Sequence, residues 1–204
     1  MKIKIILVAL LLSSRIVFSQ GYFFGAMAGY GRCYNDQIPF NGPLYKDYIN
    51  ILNLSLSVSH SVKYKKVIPI ISYYSGLSYQ SFFPTDSTMS LIKLPIGLEL
   101  QSGKKFQFLF GFGIFGEYNI HRNINQPGVY TKFQFGLNAD LGFNYRINEE
   151  YSIFIKLIED VGLTTFYKEP SYYMGGQLFS GYDNYFLNNT NINLGFNYYI
   201  TNNK

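Results

Sequence analysis

Few side chains in this 204-residue sequence can do chemistry. There are two histidines, His60 and His121, and one cysteine, Cys33. A multi-cysteine metal site or an internal disulfide framework is therefore out of reach, and two distant imidazoles with one thiol make no metal cluster. No metal and no cofactor is expected. The run Gly111-Phe112-Gly113-Ile114-Phe115-Gly116 spells G-x-G-x-x-G, but that motif binds a dinucleotide only at a strand-to-helix turn. Here it lies inside a period-two run with no helical pattern after it, so its glycines are read as relief of crowding. A lipid-modifying triad would have to join His121, Glu117 and a serine such as Ser75 or Ser78. No sequence signature supports that set, and a non-enzymatic chain is expected.

Two further sets of residues call for positioning. The polar faces of the alternating segments hold Arg32, Lys93, Lys132, Arg146 and Lys156 against Glu99, Glu117, Asp140 and Asp160. Five cations nearly balance four carboxylates, which fits a paired network inside a narrow barrel better than an ion-selective pore, because an unpaired buried charge is costly. The segment 162–188 holds Tyr172, Tyr173, Phe179, Tyr182 and Tyr185 beside several Gly and Asn. Tyrosines of this kind offer contact area at low entropic cost, so they are the candidate surface contacts for a protein or glycan partner. The alternative is that they pair across an extended hairpin.

The elements that must carry these residues are strands. Leu52, Leu54, Leu56 and Val58 alternate with polar residues, as do Ile92 to Leu100, Phe106 to Ile114, Phe133 to Tyr145 and Ile192 to Ile200. Period two over such lengths marks a strand with one apolar and one polar face. Weaker strands at 22–33, 67–79 and 151–161 bring the count to eight. Short connections at 60–66, 101–105 and 148–150 alternate with long ones at 34–48, 80–88, 119–129 and 162–188, the layout of an outer-membrane barrel. The polar face carries Gly97, Gly111, Gly113, Gly136, Gly142 and Gly195, small enough for a crowded lumen. The expected fold is all-β, an eight-stranded antiparallel up-and-down transmembrane β-barrel. A soluble barrel with its apolar face inward, or a narrow pore for small solutes, are the rivals.

Composition agrees. Aromatics reach 19% and charged residues only 14%, against about 25% charged in an average domain. Met1–Lys4 followed by the apolar run Ile5–Leu12 reads as a secretory signal, with 1–19 removed and 20–204 forming the barrel. Removing Lys2, Lys4 and Arg15 lowers the formal charge from +5 to +2, no footprint for nucleic acid. The expected location is the bacterial outer membrane, with lipid as the surrounding partner.

The last strand, Asn193-Leu194-Gly195-Phe196-Asn197-Tyr198-Tyr199-Ile200, resembles the C-terminal β-signal read by the barrel assembly machinery, with Thr201 to Lys204 extending past it. Leu91-Ile92-Lys93-Leu94-Pro95-Ile96-Gly97-Leu98 and the pair 136–145 and 160–164 resemble the PorT-type outer-membrane barrel domains of Bacteroidota. That resemblance implies a signal peptide, an outer-membrane location and mostly no known activity. PorT itself is associated with a secretion system, a role that fold alone does not carry over.

Overall fold

The computed structural model describes residues 21–37, 48–62, 70–83, 88–123, 129–130, 132–164, 167–168, 172–174, 177–179 and 184–200. The expected signal segment lies outside them. Eight long strands form the barrel: β1 (Tyr22–Gln37), β2 (Tyr48–Val62), β3 (Ile70–Phe83), β4 (Thr88–Gly103), β5 (Phe106–Asn123), β7 (Phe133–Arg146), β8 (Tyr151–Gly162) and β12 (Asn184–Ile200). Four short strands accompany them: β6 (Val129–Tyr130), β9 (Tyr167–Lys168), β10 (Tyr172–Met174) and β11 (Gln177–Phe179). Each long strand pairs antiparallel with its neighbours, and β1 pairs with β12 to close the ring. Closure satisfies every strand edge, which a strand in hydrocarbon requires.

The register gives the stagger. Tyr22 lies opposite His60, then the row passes through Tyr73, Leu98, Phe112, Ala139, Glu159 and Thr190 to Arg32. One circuit returns to β1 ten residues along, from 22 to 32. For eight strands this stagger sets a tilt of about 40° and a lumen only wide enough to be filled by side chains.

The faces divide as the alternation requires, with the apolar one outward. Leu56 and Leu194 are 63% and 65% exposed, whereas Asn193 and Asp160 are fully buried. A soluble barrel with an apolar cavity is thereby overturned: the lumen is lined by Asn, Ser, Gln and charges. Tyr22, Tyr73, Tyr145, Tyr151 and Tyr198 gather on the exterior near the rim of the short turns, as interface aromatics do. His60 belongs to that belt, its ring 4.8 Å from Tyr22.

The strands outrun the sequence reading at the opposite rim. β3 reaches Phe83 and β1 reaches Gln37, residues assigned above to long loops. Polar alternation there looks like loop, but each strand still has a neighbour whose backbone groups it can satisfy. Within β4, Pro95 has no N–H to give. The ladder to β3 accordingly skips from Ser75 opposite Ile96 to Ser78 opposite Lys93.

The glycine run 111–116 lies within β5. A Cβ on Gly111 would run into the Asp140 carboxylate, whereas one on outward-facing Gly116 would meet only the Phe135 ring at 3.4 Å. Gly111→Val should therefore destabilise the barrel by about 1–3 kcal/mol, while Gly116→Ala should stay within about 0.5 kcal/mol. Urea unfolding of both variants checks this.

Candidate functional site: the filled lumen and the fourth connection

The lumen is organised in layers. Near the short-turn rim, Phe23, Leu109 and Tyr199 are buried, and the Arg146 guanidinium lies 4.2 Å from the Tyr199 ring centre. Asn144 donates to Gln107 at 2.7 Å. Above them Lys156 bridges two carboxylates: its Nζ pairs with Glu99 and stands 3.3 Å from Asp140. Glu99 also accepts from Gln101 Nε2 at 2.8 Å, and Asn138 donates to the Tyr74 hydroxyl at 2.8 Å.

The next layer pairs Lys93 with Asp160, with the ammonium 4.6 Å from the Phe115 ring centre. Glu117 faces Lys93 across the β4–β5 ladder and is buried. Beside them Asn53 accepts from the Ser78 hydroxyl and donates to Asn193 at 2.8 Å. At the long-loop rim the fill turns apolar, with Cys33, Ile51, Phe82 and Leu91 almost completely buried. Between these layers remains a cavity of about 60 Å³, bordered by Asn53, Ser78, Lys93, Glu99, Lys156 and Asp160 among others. A polar cavity of that size has room for a few waters.

The ionisable residues named from the sequence thus separate. Lys93, Glu99, Glu117, Asp140, Arg146, Lys156 and Asp160 share the lumen. Arg32 does not: it is exposed on the outer face. It shares parity with Tyr30 and Ala28, whereas Cys33 one residue on is inward. Lys132 stands exposed just outside β7, where its carbonyl accepts from the Asn119 amide at 3.0 Å. Three lumenal cations therefore face four carboxylates, rather than five facing four. Asn53, Tyr74 and Asn138 were not singled out from the sequence, and Ser78 and Asn193 were named there only in other roles, although all five complete the network. Their polar alternation was visible, but the cross-lumen partner of each depends on the ten-residue stagger.

The enzyme alternative finds no assembled triad among the described residues. Glu117 and Ser78 point into the filled lumen, Ser75 is exposed on the outer face, and the His121 side chain lies outside the described ones. Nor does any group of three His, Cys, Asp or Glu among them stand in a metal-holding arrangement.

Among the described residues of the fourth long connection are three short strands. β10 and β11 form a hairpin with Tyr172 opposite Phe179 and Tyr173 opposite Leu178. β9 pairs with Asn184 and Tyr185 of β12 on one side and with β6 of the third connection on the other. Tyr185 also lies opposite Gln37 of β1. Of the five aromatic candidates, Tyr182 lies outside the described residues, and the other four are placed by their backbones alone.

Among solved structures, Neisserial surface protein A is similar over 86% of this chain and 96% of its own, with a TM-score of 0.55 and 7% identity. The fold is that of an outer-membrane β-barrel. The outer membrane enzyme PagL aligns over 83% of this chain and 97% of its own, at a TM-score of 0.47 and 10% identity. The N-terminal barrel domain of OprF from Pseudomonas aeruginosa aligns over 87% and 97%, at 0.45 and 13%. At such identities the likeness concerns the barrel's architecture and leaves its task open. No protein-family model and no curated protein matches the chain.

Proposed function

We propose that the protein is a non-enzymatic barrel of the bacterial outer membrane, structural in its lumen and docking a protein or glycan through its fourth connection. The observation that carries this reading is the contrast between the two ends of the site. The lumen is filled by side chains around a small polar cavity, while the short strands β9, β10 and β11 stand beyond the ring. The hairpin β10–β11 and the three-strand join β6–β9–β12 set Tyr172, Tyr173, Phe179 and Tyr185 on paired backbone, where aromatic contacts cost little ordering entropy.

The membrane reading rests on the outward apolar face. The β-signal resemblance supports delivery by the barrel assembly machinery, since Asn193–Ile200 lies in β12, the strand that closes the ring against β1. The PorT-type assignment is likewise proposed, supported by the Pro-centred strand β4 and the β7–β8 pair; a secretory signal is supported by the pattern of the first twelve residues, and cleavage after residue 19 by Val17 and Ser19 at the −3 and −1 positions.

Fractionation of expressing cells should recover the chain with the outer membrane, and its gel band should shift on boiling. Recovery in the soluble fraction would remove the membrane reading. For docking, the folded barrel is probed against a glycan array and against extracted surface proteins. Replacing Tyr172, Tyr173 and Phe179 together by Ala should abolish the binding found while leaving the heat-shifted band intact. Binding unchanged by that triple substitution would remove the fourth connection from the proposal. In planar bilayers the intact barrel should show no channel steps above baseline, and regular steps would revive the pore.

A further inference from the structure

The apolar exterior does not end at one height. The aromatics of the short-turn rim give a common baseline. On β7 exposed apolar residues run from Tyr145 up to Phe133, and on β5 from Phe106 up to Ile120. At about 2.5 Å of rise per residue of tilted strand, each climb is about 30 Å or more. On three adjacent strands the change comes sooner. Glu159 of β8 and Thr190 of β12 stand only about 20 Å above Tyr151 and Tyr198, and Arg32 of β1 about 25 Å above Tyr22. Arg32 lies opposite Thr190, and Thr190 opposite Glu159, so the three form one row. All are on the outer face, Arg32 exposed and the other two half-buried.

A membrane interface would turn every strand polar at one level. A break confined to β8, β12 and β1 is instead a local patch, at a height where β5 and β7 are still apolar. Ionisable groups at membrane depth face protein or water rather than lipid chains. Thr190 Oγ1 donates to the Glu159 carboxylate, and Arg32 and Glu159 each have partners within the chain. A guanidinium fork and a carboxylate each take more than one partner. The patch carries one charge of each sign, so a surface that covers it must offer both in the reverse order.

The row itself is such a surface. Two barrels of the same orientation in a membrane are related by a two-fold axis along the membrane normal. A residue on one side of that axis then meets the residue equally far to its other side on the second copy. With the axis at Thr190, Thr190 meets Thr190, and Arg32 of each copy meets Glu159 of the other. Arg32 stands about 6 Å higher than Glu159, two strand spacings of about 4.8 Å at the same tilt. The long arginine stem spans that gap. We infer that β8, β12 and β1 form the contact face of a symmetric dimer within the outer membrane, held by reciprocal Arg32–Glu159 pairs. The inference rests on the membrane reading above.

The test uses the full barrel in phospholipid vesicles. Thr190→Cys should give a covalent dimer on mild oxidation, because the axis brings that position against itself. Leu94→Cys, exposed on β4 and four strands from β12 in the ring, should not. The native Cys33 is buried and takes no part. Arg32→Glu and Glu159→Arg, each alone, set like charges across the contact and should weaken self-association about a hundredfold. Mixed, the two variants should form heterodimers, since the mixture restores both pairs across the contact. No pairing within one chain can produce that rescue. The heat-shifted band of each variant shows that its barrel is closed. A wild-type barrel that stays monomeric in the vesicles overturns the inference. So does a mixture that stays monomeric, or a Leu94→Cys cross-link as strong as that of Thr190→Cys. Failure of the wild-type chain to insert at all would bring down the membrane reading with it, whereas insertion as a monomer brings down this inference alone.

Discussion

Replacing Lys156 by Met should lower the unfolding free energy of the barrel by about 3–5 kcal/mol, the cost of breaking a buried ion pair from one side. Among the described residues the ammonium is the one cation placed between Glu99 and Asp140, and both carboxylates are buried. Without it they face each other across a largely filled lumen with room for only a few waters, and their repulsion adds to lost solvation. Pairing the change with Glu99→Gln and Asp140→Asn should restore most of the loss, since neutral amides can pair among the Asn and Gln already present. Urea unfolding in detergent, followed by the heat-shifted band, measures both. A single-variant change within about 0.5 kcal/mol would mean that the layer is wetter than its 60 Å³ cavity implies.

Ile96→Arg should cost about 2–4 kcal/mol in a bilayer, the price of a cation on the lipid face near the midplane. Ile96 stands half-exposed near the middle of β4, between Ser75 and Ile114 on its two neighbours. In water the same substitution would be close to neutral, because the side chain points away from the lumen. The measurement is therefore unfolding of the barrel in phospholipid vesicles. An unchanged midpoint there would show that this face does not meet hydrocarbon, whatever its composition.

Most of the architecture could be read from the chain because a barrel strand writes its two environments in alternate residues. β7 is the clearest case: from Phe133 to Arg146 exposure and burial alternate without a break until the last residue, as its residue types demand. What could not be read has two physical origins. Parity failed at Arg32, since β1 carries small residues on both faces (Gly25, Ala26, Ala28, Gly29, Gly31) and gives no apolar phase to fix its register. Partnering failed across the lumen, because meetings such as Asn53 with Asn193 or Lys93 with Asp160 join strands far apart in the sequence and follow only from the tilt. The aromatic segment 162–188 was readable as a contact surface, but not as the short strands β9, β10 and β11, each too brief to show a period.

The seam between β1 and β12 has a kinetic consequence. It sets Tyr22 opposite Ile200, contacts between nearly the two extremes of the described chain, so the entropy of closing the ring falls due at its last pairing. Until then a seven- or eight-strand sheet would present two unpaired edges and an apolar face together, the combination most prone to aggregate in water. Spontaneous folding should thus be slow and lossy. A catalyst that holds β12 until β1 arrives would act on the one step where the chain needs help, which gives a physical reason for a recognition sequence to sit in that strand.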